Sequence, residues 1–267
     1  MKKFLIWMML LLLLFVAACG SKNSNETQPS ASAPTQSTTE TTGTTEHTET
    51  STVTEQTEEP TVVTEPIWPT EVKEELILEK YQPYYRQNDD LVGWIYVPNT
   101  KIDNPVVQSS IDNKNYYLDK DFDKKKDKAG TLYIREQCDV FLPSDNLVIY
   151  GHNMANNTMF GILDKYRKQS YWKDNQYIYF DTLYEQHTYQ IFAVFKTSAN
   201  NGQGYPYHRF NDATSAEEFD AFITAVKDLA FYDTGITPQY GDKLITLSTC
   251  EYTLSNGRLV VVAYRIS

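Results

Sequence analysis

A thiol, an imidazole and a guanidinium each stand in this chain where an apolar strand ends. Leu244-Ile245-Thr246-Leu247-Ser248-Thr249-Cys250 is an apolar, β-branched run that turns polar and closes on a cysteine, and Arg258 follows after a short loop. Upstream, Leu147-Val148-Ile149-Tyr150-Gly151-His152 is a second apolar run closing on a histidine. These are the parts for nucleophilic acyl transfer: a thiolate attacks a carbonyl, an imidazole moves protons, and a fixed cation steadies the oxyanion.

The other residues of each type fit that chemistry less well. Cys138 lies between Gln137 and Asp139 in a loop with no strand to aim it, and Cys19 belongs to the leader. His47 sits in a Thr/Glu-rich stretch, His187 at a hairpin edge and His208 in an aromatic loop, so His208 is the one rival to His152. Arg265 stands at the far end of the strand that Arg258 opens. About seven positions of extended chain separate the two, so only one of them can reach the thiol.

Eight short β-branched and aromatic runs, punctuated by Asn, Asp, Gly and Pro, must position these groups: Val92–Val97, Val106–Gln108, Gly130–Ile134, Leu147–Gly151, Tyr177–Asp181, His187–Thr197, Lys243–Thr249 and Leu259–Ile266. That number of strands predicts a mainly β fold closed into a barrel. Thr70 to Tyr85 has the composition of an N-terminal helix ending near Pro83. A capping box at Ser215-Ala216-Glu217-Glu218 opens a second helix, with Phe219, Phe222, Ile223, Val226 and Leu229 on one face, just before the cysteine strand. A short helix is expected over Met159–Lys168.

The chain divides into three parts. Residues 1–20 form an export signal: Lys2 and Lys3 precede fifteen uncharged, mostly apolar residues, Phe4 to Ala18. Val16-Ala17-Ala18-Cys19 then matches a lipobox, which would make Cys19 a lipidated N-terminus, and an uncleaved signal anchor is the alternative. Either way the domain is expected outside the cell at the membrane face. Residues 21–66, dominated by Thr, Ser, Glu, Gln and Pro, cannot bury enough apolar surface to offset their ordering entropy and are expected to act as a tether. Eight glutamates against one lysine lie there, giving −7 of the formal charge of −11, and Lys2 and Lys3 add +2, so residues 67–267 carry −6 and form one mildly acidic domain. Without a basic stripe, nucleic acid is excluded as a partner.

TLSTC at 246–250, YGHNM at 150–154 and NGRLVVVAYRI at 256–266 resemble a sortase, and the TLSTC and GHNM forms resemble class B. The similarity runs from about Ile67 to the C-terminus. It implies an eight-stranded sortase-type barrel with an N-terminal helix and a helix before the cysteine strand. It also implies a cysteine transpeptidase with Cys250, His152 and Arg258 as catalytic residues. Ser248 matches a position that contacts the sorting peptide in class B, and Thr249 stands beside it; both could equally finish the strand. The implied partners are sorting-signal peptides of the NPxTx or PPxTx sort on secreted proteins, a peptidoglycan-precursor or cross-bridge amine in a Gram-positive-type cell wall, and the membrane through the N-terminal anchor. A pilin-polymerising sortase is a variant of that reading. No cofactor or metal is expected, since Asp119, Asp121, Asp123 and Asp127 alternate with Lys120 and Lys124–Lys126. Two rivals are an L,D-transpeptidase, which would carry histidine and glycine just before its cysteine, and a non-catalytic surface lipoprotein that binds peptide or cell wall.

Overall fold

The computed structural model describes residues 72–267, so the leader, Cys19 and the 21–66 segment lie outside the described residues. Eight strands follow in chain order: β1 Leu91–Tyr96, β2 Asp103–Gln108, β3 Leu132–Ile134, β4 Asn146–Tyr150, β5 Tyr177–Thr182, β6 Gln186–Ser198, β7 Leu244–Glu251 and β8 Gly257–Arg265. They close into a barrel in the order β1-β2-β3-β4-β7-β8-β6-β5. Each expected strand is present, displaced by no more than three residues at either end.

Two neighbouring pairs, β2–β3 and β4–β7, are parallel, and the rest are antiparallel. Parallel neighbours need a long crossover. The one from β4 to β7 contains β5, β6 and the longest helix. Leu147, Val148 and Ile149 on β4 and every residue from Leu244 to Thr249 on β7 are buried. This continuous burial is what parallel strands covered on both faces require, and it explains why the two runs read as apolar without alternation. Ile149, Leu247, Val261 and Phe195 are fully buried in one cluster with residues from all eight strands. Each such side chain contributes about 1.5–3 kcal/mol relative to exposure.

The helices differ in part from expectation. One continuous N-terminal helix does not form: a single 3-10 turn at Glu74–Leu76 is followed by a break and then α1, Gln82–Gln87. Pro83 lies in the first turn of α1 and so starts the helix rather than ending one, because that turn needs no N–H from it and suits its fixed φ. The stretch after His152 is a 3-10 helix, Gly161–Arg167, followed by α2, Gln169–Asp174, which the sequence did not reveal. α3, Ala216–Leu229, is capped as expected by Ser215 Oγ, which accepts the Glu218 N–H. The Glu218 carboxylate does not reach back to Ser215; it accepts from the Thr214 N–H and hydroxyl at 2.9 and 2.7 Å. Phe219, Phe222, Ile223 and Val226 are buried, but Leu229, the last residue of the helix, is 41% exposed.

Candidate active site

β4 and β7 run parallel in register, Ile149 beside Leu247 and Tyr150 beside Ser248. The pairing continues past the strand end, where the Gly151 N–H donates to the Ser248 carbonyl at 3.1 Å. Two residues further along the same register stand His152 and Cys250. Gly151 leaves room for the packing around the strand end: a Cβ there would collide with the Leu132 and Phe160 side chains. Beyond it, Asn153 Nδ2 donates to the Cys250 carbonyl at 2.9 Å, and the Phe160 N–H donates to the His152 carbonyl at 2.9 Å. Both candidate residues are thus fixed through their backbones, while their side chains remain partly exposed.

Arg258 enters from the other side. β7 and β8 are antiparallel with Cys250 directly opposite Arg258. Opposed residues project from the same face with Cβ atoms roughly 4.5–5.5 Å apart, so the guanidinium and the thiol share one surface. Arg258 Nη1 donates to the carbonyls of Gly257 and Asn256 and to Asn256 Oδ1, at 2.8, 3.3 and 3.1 Å. These three acceptors hold one prong of the fork in place. Arg265 lies at the opposite end of β8, paired with Tyr189.

The His152 ring is oriented by the chain before β3. Its Nε2 lies 2.7 Å from the Leu118 carbonyl. A carbonyl can only accept, so Nε2 carries a hydrogen and Nδ1 is left as the acceptor of the neutral ring. His208, the rival, is half-buried on the Arg258 side of the site. Burial, then Arg135, Arg209 and Arg258, hold its pKa below the ordinary value, which favours a neutral ring.

Several contributors were not legible in the sequence. Tyr150, beside Ser248, stacks on Tyr133 with ring centres 5.5 Å apart, and the Arg135 guanidinium lies 4.5 Å over the Tyr150 ring. Tyr133 is buried, and its hydroxyl feels the charges of Arg135, Arg258 and Cys250, so this stack forms a wall of the site. Arg135 Nε and Tyr150 OH are buried there without a partner among the described residues. Tyr207, from the Ala199–Phe210 loop, is buried with its hydroxyl 2.6 Å from Ser248 Oγ. Through this contact the loop reaches the site, and Ser248 serves in this structure as its anchor. Thr249 is buried on the alternate face, its Oγ1 without a protein partner among the described residues.

Glu251 is the largest omission. It follows Cys250 directly and is 3% exposed. Its Oε1 accepts from Arg167 Nη2 at 2.8 Å and Thr253 Oγ1 at 2.6 Å, and its Oε2 accepts from the N–H groups of Thr253 and Leu254 at 3.0 and 3.1 Å. Burial raises the carboxyl pKa, but these hydrogen bonds and the guanidinium outweigh it and bring it below the ordinary value. The carboxylate thereby fixes the turn that carries the chain from Cys250 to Arg258. A charged residue closing a largely apolar strand was the available signal, because such a group must find partners.

A cavity of about 660 Å³ lies past the two strand ends, among Asn153, Met154, Asp164, Arg167, Glu251 and Tyr252, and none of the candidate catalytic side chains lines it. A larger one, about 910 Å³, lies among Lys80, Trp94, Tyr96, Tyr179 and Asp181 on the β1–β5–β6 side and likewise includes none of them. Its position argues against assigning function by size alone.

The arrangement matches known proteins. The sortase-domain family profile fits residues 95–266. Sortase B of Staphylococcus aureus is 29% identical over 201 residues, covering 72% of this chain and 80% of that protein. Among solved structures, a Staphylococcus aureus sortase B–substrate complex superposes with a TM-score of 0.65 at 28% identity, over 72% of this chain and 86% of that one. A sortase B complexed with triglycine gives 0.63 at 28%, over 70% and 86%. With its eight-stranded barrel and its thiol, imidazole and guanidinium gathered at one rim, the chain belongs to the sortase family of cysteine transpeptidases, on the class B branch.

Proposed function

We propose that this sortase cleaves a C-terminal sorting signal of the NPxTx or PPxTx type and joins the threonine carbonyl to an amine of the cell wall. The single observation that carries this reading is the convergence of Cys250, Arg258 and His152 at one rim, through the β4–β7 and β7–β8 registers. The sulfur of Cys250 attacks the threonine carbonyl carbon and forms a C–S bond while its proton passes to His152. Arg258 donates to the resulting oxyanion, its fork held by Asn256 and Gly257. As the C–N bond breaks, His152 gives a proton to the departing amine. The thioacyl enzyme is then resolved by the acceptor amine, whose nitrogen forms the new amide while His152 takes its proton and the C–S bonding pair returns to sulfur.

The groove for the signal peptide is assigned to the wall of Tyr133, Arg135, Tyr150 and Tyr207. The names of the neighbours support this: one is a sortase B bound to substrate, another a sortase B bound to triglycine. The lipobox at Cys19 and the 21–66 segment support an enzyme held at the outer face of the membrane by a lipid and a tether. The test is incubation with NPxTx and PPxTx peptides, with triglycine as acceptor, followed by mass spectrometry. A thioacyl adduct on Cys250 and an amide-linked product are expected. Absence of any adduct with both peptide sets would refute the signal assignment.

A further inference from the structure

The His152 ring owes its orientation to a carbonyl on a turn that does little to hold itself. Leu118 lies in a four-residue 3-10 helix, Tyr116–Asp119, whose N-cap residue, Asn115, makes no side-chain hydrogen bond to it. The Leu118 side chain is 42% exposed, so it does not anchor the turn. Its carbonyl nevertheless lies 2.7 Å from His152 Nε2. A short 3-10 turn has poor internal hydrogen-bond geometry and needs outside support to keep one carbonyl aimed.

The residue before Leu118 supplies that support. Tyr117 is 1% exposed and packs in a cluster with Val107 of β2 and Tyr133 of β3. Its hydroxyl donates to Asp90 Oδ2 and accepts from Asn88 Nδ2 at 2.9 Å. Asn88 is 2% exposed, and its Nδ2 also donates to the Phe122 carbonyl at 2.9 Å. Asn88 and Asp90 lie just before β1, so the turn is pinned to the start of the barrel. On its other side the Thr131 N–H donates to the Tyr117 carbonyl at 3.0 Å. Gly130, with a φ of +61°, passes so close that a Cβ would stand 2.6 Å from the carbonyl oxygens of Tyr117 and Leu118. Burial, then the hydrogen bond to Asp90, raises the Tyr117 pKa, so the phenol keeps its proton and remains a donor.

Resting on the transpeptidase reading above, we infer that Tyr117 is a positioning residue for the proton transfers. Clamped by Asp90 and Asn88, it holds the Leu118 carbonyl against the Nε2–H of His152 and so leaves Nδ1 as the ring nitrogen that exchanges protons. Nδ1 takes the thiol proton as the C–S bond forms and returns it to the departing amine as the C–N bond breaks. The Nε2–H stays on the Leu118 carbonyl throughout. Without the clamp the two neutral tautomers lie closer in energy, and part of the enzyme carries its ring hydrogen on the wrong nitrogen.

Imidazole ¹⁵N shifts report the tautomer directly, in protein labelled at histidine and held at a pH where the ring is neutral. The wild type should show Nε2 as the protonated nitrogen of His152. Tyr117→Phe should draw the two nitrogen resonances together. It should also lower kcat for peptide cleavage about three- to tenfold, the scale of one lost hydrogen bond, with KM near the wild-type value. Tyr116→Phe, which removes a hydroxyl from the neighbouring ring, should change neither. Asp90→Asn keeps an acceptor for the Tyr117 hydroxyl and should keep the tautomer, whereas Asp90→Ala should shift it as Tyr117→Phe does. That pair decides the matter if Tyr117→Phe does not fold. An unmoved tautomer in Tyr117→Phe and Asp90→Ala, or an equal shift in Tyr116→Phe, would overturn the inference. The spectra need no substrate, so the two readings fail separately. A tautomer shift in Tyr117→Phe, together with a wild type that cleaves neither peptide set, would uphold the clamp and count against the signal assignment.

Discussion

The barrel carries two cysteines among its described residues, and they occupy opposite kinds of environment. Cys138 is 2% exposed, its sulfur 3.6 Å from the Asn146 carbonyl and 3.4 Å from Asn211 Oδ1. Burial pushes its thiol up to about 11, so it stays protonated and packs as a small apolar group. Cys250 stands at a strand end, partly exposed, with an arginine opposite and a histidine at the end of the adjoining strand. The same side chain is thus filler in one place and a candidate nucleophile in the other. What differs is where the strand lets go of it and which charges the neighbouring strands bring.

The sharpest way to break that contrast is to remove each thiol in turn. Cys250→Ala should reduce peptide cleavage to background, since no other group can form the thioester, whereas Cys138→Ala should retain the wild-type rate; comparable losses in both would collapse the distinction. Among the groups that surround Cys250, His152→Ala should cost on the order of 10²–10⁴-fold in kcat. Arg258→Ala should cost on the order of 10²–10³-fold. Arg265→Ala, at the far end of the same strand, should stay within about twofold, as surface substitutions do. An Arg265 effect equal to that of Arg258 would mean that cross-strand register does not select the cation.

Support for the Cys250 turn can be measured as stability. Glu251→Ala removes four hydrogen bonds and leaves Arg167 with Asp164 alone, so denaturant unfolding should register a loss of about 1–3 kcal/mol. The smallest expected effect concerns pH. The pKa of His208 is lowered from 6.5 by burial and then by Arg135, Arg209 and Arg258. The unfolded chain therefore takes up a proton that the folded site resists. This contribution is complete above about pH 6.5 and is lost as pH falls below it. Tm should drop less between about pH 7 and about pH 5 in His208→Gln than in the wild type. An equal drop would show that His208 is not the group resisting protonation.

The strands and the three candidate residues were legible because each signal is local. An apolar run that turns polar and ends on Cys250, or on His152, states its own strand end. The supporting residues were not, because their roles depend on chain brought from far away. Tyr207 is joined to Ser248 across the barrel wall, Glu251 to Arg167, and the His152 ring to Leu118, and no periodicity connects such pairs. Pro83 misled for a different reason: the same ring that ends a helix when it falls inside one starts a helix when it falls in the first turn.

The parallel pairing of β4 with β7 has a consequence for the order of assembly. His152 and Cys250 become neighbours only when β7 settles beside β4, after β5, β6 and α3 have been threaded between them. Contacts at such sequence separation form late and slowly, because the intervening loop must be closed before they contribute. Until then the cysteine has neither its histidine nor the strand that fixes its backbone. The candidate centre is therefore assembled only when the barrel is complete.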